Sequence, residues 1–451
     1  MLQYARKLSA EIAALQGEEV AVAGRLCKFI CGLVPVDMKY LATLSGELCN
    51  AATYFSSFAD VSQQTKSKSG SFQLPDHSAD SSAVMTWKSW SWTKRLEDAH
   101  EVEKFKAKLQ GDLESKTNRS KITTFIASRQ SRQEFVPPLG RSIELARAEP
   151  LHLMNNAWQN LFELVLLYAC RLSSGQLHPT SPLFKLVDII QNTLRLHKLN
   201  RGIKLWLEDK SEANMHKFFR FTGNESRKCC HNFHRFIEAL NTPQRTAQEQ
   251  VKLHTLSLAM AHLRDAVALF SRYSITDAQL DALEMHCRAY FCACRDLLQT
   301  VTPTSWTIGH VVPVHARDVK RRFGFGLGLA TAQGREAKVV DVKKYMHHAL
   351  VKDMPKMVFR HEYMSLIALQ KKDPQHVSNN HEGKNKYVPI PVERKEVCYC
   401  GGQLDMVVSL RCAFCREGLH YLVAEDLANN KISPKLQRIM QPSQNTMRHQ
   451  Q

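Results

Sequence analysis

Three sets of residues in this chain have types and spacings that could do chemistry. Asp37 closes an apolar stretch (Leu33, Val34, Val36) and precedes a segment of helical character. A carboxylate at the end of a strand can hold a hard metal ion in the crevice outside a sheet, and the same residue type also serves as a helix N-cap. Glu336 follows a glycine alternation at Gly324, Gly326 and Gly328 and falls in the first turns of a basic segment. From there it could reach the same ion from the opposite side, although an acid near a helix N-terminus is favoured in its own right. The glycine run lacks both GxGxxG spacing and a following GK[ST], so it is a poor phosphate loop. His310 and His315 stand in His-x4-His spacing with Pro313 between them. Two imidazoles so spaced can share a zinc ion if the chain bends; scattered histidines are more often solvent-facing or hydrogen-bonded structural residues. Finally, Cys398-x-Cys400 and Cys412-x2-Cys415 form two close cysteine pairs around a short hairpin-like segment, with His420 as a spare donor. Four thiolates in that pattern suit a tetrahedral Zn2+ site.

Positioning these groups requires a particular order of elements. Residues 1–60 read as a helix followed by strand-like sequence, the first part of a mixed core. A polar loop and a tryptophan cluster (Trp87, Trp90, Trp92) occupy 61–95. Helical periodicity dominates 96–300, with Leu161, Leu164, Leu166 and Leu167 in one segment and Leu256, Leu258, Leu263, Val267 and Phe270 in another. Residues 301–350 return to mixed character, with a helix expected from near Gly334 to about Leu350. A helix and polar linker over 351–396, the four-cysteine ribbon at 397–425 and a tail at 426–451 complete the chain. The expected class is therefore α+β, one mixed core interrupted by a large helical insertion, with a small zinc ribbon after it.

Composition narrows the function classes. Across 451 residues the chain is 44% hydrophobic and 23% charged, which suits a folded protein. No apolar run is long enough for a membrane span, and no apolar core with a cleavage site marks a secretory leader. Thirteen scattered cysteines argue against a disulfide framework and for a reducing compartment. The formal charge of +18 favours a polyanionic partner, and nucleic acid is the common one inside cells.

In order and spacing, these features resemble the catalytic core shared by Transib-type DNA transposases and the V(D)J recombinase catalytic subunit. In that family the second catalytic Asp opens D-x-K…G…Y-x-C-x-x-C. Asp37, Lys39, Gly46 and Tyr54 match it, while Ser56 and Ala59 stand where the cysteines would be. A D/E-x-L-H…N-A segment is matched by Glu149, Leu151, His152, Asn156 and Ala157. G-N-x-[AS]-R-K is matched by Gly223, Asn224, Ser226, Arg227 and Lys228. The histidine pair and a closing Glu on a basic helix correspond to His310, His315 and Glu336. The chain is also similar to transposon-derived proteins that share WTxGxxxPxH…GFGLGL…QGREAK.

The resemblance implies an RNase H-like core that cuts and joins DNA strands with two Mg2+ or Mn2+ ions held by three carboxylates. Asp37 and Glu336 would be two of these, and Arg227, Lys228, Lys338, Lys343 and Lys344 would face phosphates. None of the 36 residues before Asp37 is Asp, and Glu11, Glu18 and Glu19 lie in helical-looking sequence. The core is thus expected to be partial, N-terminally incomplete or decayed, and inactive. The family's core zinc is expected to be lost with its cysteines, leaving His310 and His315 as weaker zinc candidates. The expected partner is double-stranded DNA in the nucleus, with a homodimer left open and no membrane contact. The alternative is a non-enzymatic nuclear protein that binds DNA or protein through its basic surface and zinc ribbon.

Overall fold

Most helices in this protein start where a side chain can take over backbone donors that the first turn leaves unpaired. In the computed structural model the described residues are 2–332, except 23, 75–84, 174–177, 209–220 and 243–245, together with isolated positions between 343 and 367. They fall into two units, one ending at Ala330 and one beginning at Thr331. All elements named below belong to the first. In the second, the described positions from 343 to 367 are helical. The architecture is mixed α+β, mostly helical, with a few short strands.

Helix α1 (Leu2–Gly17) leads into an antiparallel hairpin of β1 (Glu19–Val22) and β2 (Arg25–Lys28). Strand β3 (Val34–Pro35) precedes α2 (Met38–Ser45), and β4 (Ser71–Gln73) pairs in parallel with β5 (Thr86–Lys88). Helices α3 (Trp92–Ala107) and α4 (Lys116–Ser128) are capped by the Ser91 and Ser115 hydroxyls. A small core of Leu48, Val102, Ile122 and Ile126 joins them, with Phe105 and Phe125 stacked at 4.2 Å. Beside it the fully buried carboxylate of Glu47 forms ion pairs with Arg95 and Arg132.

Strand β6 (Ala146–Arg147) then returns to β3, pairing in parallel as Val34↔Ala146 and Pro35↔Arg147. The expected helical stretch over 96–300 therefore contains a strand, and its uninterrupted helical part begins only with α5 (Pro150–Leu172). It continues through α6 (Pro182–Asp188), α7 (His197–Glu208), α8 (Gly223–Leu240), α9 (Ala247–Phe270) and α10 (Asp277–Cys292). Reciprocal capping boxes open α8, α9 and α10, with Thr222, Thr246 and Thr276 each three residues before Glu225, Glu249 and Gln279. Helices α11 (Pro303–Trp306) and α12 (Val312–Phe323) close the unit. Single π-helical turns lie at Ile189–Thr193, Ala293–Leu297 and Thr307–Val311.

One continuous core joins β3, β6 and α5 to the later helices. Leu161 and Leu166 of α5 are buried, whereas Leu167 is 41% exposed, so the leucine-rich run is a helix stripe with one outward member. All five apolar residues expected on the inner face of α9, from Leu256 to Phe270, are buried. Across this core Arg147 donates to Asp318 from Nε at 3.0 Å and from Nη2 at 2.6 Å. Both side chains are almost fully buried, and 171 residues separate them in sequence.

Burial alone would raise the Asp318 carboxyl, but hydrogen bonds and charge from Arg147, then Arg321 and Arg322, hold it below the usual carboxylate range. Replacing Asp318 by Asn leaves the Arg147 guanidinium buried beside a neutral amide. Loss of one partner of a buried pair costs roughly 3–5 kcal/mol. Urea unfolding of Asp318→Asn should therefore show a shift of that size in the unfolding free energy. A shift below about 1 kcal/mol would mean that solvent reaches the pair.

Candidate functional site

Asp37 leaves the carboxyl end of β3 half-buried, and its Oδ1 accepts from the Lys39 backbone N–H at 3.3 Å. It is the N-cap of α2, and Gly46 closes that helix in the left-handed conformation at φ 68°. The capping role open to Asp37 from sequence is thus the one its carboxylate performs. Segments distant in sequence meet around it. Pro35 lies opposite Arg147, and Thr307 Oγ1 stands 3.5 Å from the Met38 sulfur. Phe55 meets Trp306 edge-on, and the ring of Phe323 lies against Gly32. The basic end of α12 (Lys320, Arg321, Arg322) is therefore adjacent to the segment leading to Asp37.

The histidine pair sits inside this meeting point. His315 is buried, and its Nδ1 accepts from the Ala148 backbone N–H at 3.1 Å. That bond assigns the proton to Nε2 in the neutral ring. Phe58 and Phe72 meet it edge-on at 5.1 and 5.8 Å. His310 packs among Phe291 (4.4 Å), Trp87 (4.9 Å) and Trp306 (5.2 Å). Burial, reinforced by Arg288 and Arg295, pushes its pKa down to about 3. Phe58 lies between Ser56 and Ala59, so the loop that carries these two residues reaches His315 through an aromatic ring.

The donor set does not fit a metal. One ring nitrogen of His315 is engaged with backbone, and Ser56 Oγ accepts from the Phe58 N–H at 3.2 Å. Ala59 has no donor in its side chain. Among the described residues no group of three or more His, Cys, Asp or Glu side chains could hold an ion. Glu336, Lys338, Lys344 and the cysteines at 398, 400, 412 and 415 lie outside the described residues; Lys343 is described and exposed.

Other motif residues have structural work. Glu149 caps α5, accepting from the N–H groups of Leu151 (2.9 Å) and His152 (2.7 Å), and its carboxylate also contacts the His152 ring. Arg227 is half-buried, and burial lowers its pKa. Lys228 donates from Nζ to the Leu194 carbonyl at 2.7 Å, closing the turn after the first π-helical segment. Gly326 and Gly328 each press against the Arg272 carbonyl, where a Cβ would come within 2.4 and 2.5 Å. Their N–H groups donate to the carbonyls of Tyr273 (2.7 Å) and Arg272 (3.0 Å). Gly326 and Gly328 thus form a backbone-to-backbone seam, while Gly324 closes α12 in the left-handed conformation at φ 75°.

A second histidine pair escaped the sequence reading. His262 on α9 and His286 on α10 place their Nδ1 atoms 3.0 Å apart, with Asp265 3.9 Å from His286. Spacing of 24 residues across two helices leaves no motif to find. Burial, then His286 and Arg264, holds His262 at about 3.

These rings set an acid limit. The unfolded chain protonates them below about pH 6.5, but folded His262 and His310 stay neutral until near 3. Their contribution to stability is full above 6.5 and is lost as pH falls through that interval, by about 1.4 kcal/mol per pH unit for each ring. The free energy of urea unfolding between about pH 6.5 and 5 should fall with the summed slope of these rings and of His315, which burial and Arg147 also hold well below 6.5. His262→Phe should remove one ring's share of it. A flat profile would mean the rings are solvated. In comparisons with known proteins, no family model matches this chain, and no curated protein matches it.

Proposed function

We propose that this is a transposase-derived DNA-binding protein. It would retain part of an RNase H-like core and two of the three carboxylates of a strand transferase, Asp37 and Glu336. The observation that carries this reading is the convergence of motif segments around residue 37. The D-x-K segment, the residues just before E-P-L-H and the W-T-x-G-H…H segment meet through the β3–β6 pairing, the Arg147–Asp318 bridge and the Ala148–His315 hydrogen bond. Such convergence of segments more than 100 residues apart is what a shared site would need. The +18 charge and the basic end of α12 favour DNA as the partner.

Binding without cleavage is the form of this reading that the residues favour. Two dications about 3.5–4 Å apart need several clustered acids, and Asp37 already serves as a helix cap. No catalytic step is therefore derived through Mg2+ or Mn2+. The segment 397–425 would form a ribbon around one Zn2+ held by Cys398, Cys400, Cys412 and Cys415, and the nucleus would be the site of action.

The test is a binding and nicking assay on duplex DNA with the full chain. Association should weaken steeply with salt, with a slope of several units in log K against log salt. Incubation with Mn2+ should leave the duplex intact. Nicking that disappears in Glu336→Gln would establish a complete catalytic site and overturn the non-catalytic reading. Absence of DNA affinity at low salt would overturn the proposal altogether.

A further inference from the structure

Helix α7 carries an outward basic face, and we infer that this face binds the phosphate backbone of duplex DNA. The inference rests on the DNA-binding reading above and names the surface that would serve it. The apolar side of α7 is spent internally: Leu196, just before the helix, and Leu199 and Ile203 within it are buried in the main core. Asn200 on the same side donates to Gln191 Oε1 at 2.7 Å. The opposite side exposes His197, Lys198, Arg201 and Lys204, with Arg195 in the preceding turn. Lys198, Arg201 and Lys204 recur every three residues, which keeps them on one face of the helix.

Among the described residues, Arg195, Lys198, Arg201 and Lys204 make no ion pair and no side-chain hydrogen bond. No acid occurs in the sequence from Leu194 to Leu207. By contrast, of the five residues that sequence offered for this role, Arg227 is half-buried and Lys228 is turned to structural use. Lys228 anchors the carbonyl of Leu194, directly before Arg195, and so fixes the entry to α7.

Dimension and charge fit a duplex. From Lys198 to Lys204 the helix rises about 9 Å, along which duplex DNA presents roughly five phosphate charges counted on both strands. A membrane surface is the poorer partner. An interfacial helix must place an apolar face in the lipid, and that face of α7 is committed to the protein core. On the outward side only Leu205, 46% exposed, is apolar.

The experiment compares the full chain with two triple variants of equal charge change. One is Lys198→Gln/Arg201→Gln/Lys204→Gln. The other, Lys108→Gln/Lys116→Gln/Lys121→Gln, alters exposed lysines on and around α3 and α4. Circular dichroism and melting of both should match the parent, since all six side chains are exposed. Fluorescence anisotropy with duplex DNA should show the α7 variant weakened at least about tenfold, its salt slope reduced by two to three units. The control triple should lose much less. Equal losses in both variants would reduce the binding to bulk charge and overturn this inference while leaving the DNA-binding reading intact. An α7 variant that keeps full DNA affinity would overturn it as well. So would loss confined to phosphatidylserine-containing vesicles, which would reassign the face to a membrane. No DNA binding by the parent chain would overturn both the inference and the reading beneath it.

Discussion

The buried Arg147–Asp318 pair is the constraint on which the centre of the first unit depends. Neither ion could be left alone at that depth, because desolvation costs several kcal/mol per charge. The strand that carries Arg147 and the helix that carries Asp318 are therefore obliged to meet. Everything around the pair follows from that. Strand β6 is held beside β3, which sets the exit of Asp37, and Ala148 is held where its N–H finds His315. The aromatic layer of Phe58, Phe72, Trp87 and Trp306 then fills the space between them. A two-residue parallel pairing would be negligible without this support, since so short a ladder contributes few hydrogen bonds.

Sequence reading reached further into the helices than into the site. Period-3.6 apolar patterns are local, so the apolar run of α9 could be read directly, whereas the Thr-x-x-Glu/Gln boxes that open α8, α9 and α10 were equally local but went unread. Asp37 was legible as a residue at a strand-to-helix junction with two open roles, and the cap is the one its carboxylate fills. What sequence could not give was the destination of long side chains. Nothing in Arg227-Lys228 says that one sits half-buried and the other reaches a carbonyl 34 residues away. Likewise the glycine alternation signals close backbone approach, but only the fold shows that the approaching chain is the turn after α9.

The histidines illustrate a trade between two uses of one residue type. An imidazole that ligates zinc needs a free nitrogen and companions; one that stays neutral in a core needs an N–H to accept and rings to pack on. Position 315 has the second set of partners, an N–H from Ala148 and the edge-on rings of Phe58 and Phe72. The edge-on contact of Phe58 with His315 joins the 54–62 loop to α12.

The three π-helical turns carry a different implication. A π turn accommodates one residue more than the α-helix around it. At Ile189–Thr193, Ala293–Leu297 and Thr307–Val311 the inward-facing register accordingly slips by one position. Any alignment of this chain with a helical relative should open single-residue gaps at these places, not in the loops. An ungapped overlay on an uninterrupted α-helix would place His310 and the residues after it one step out of phase.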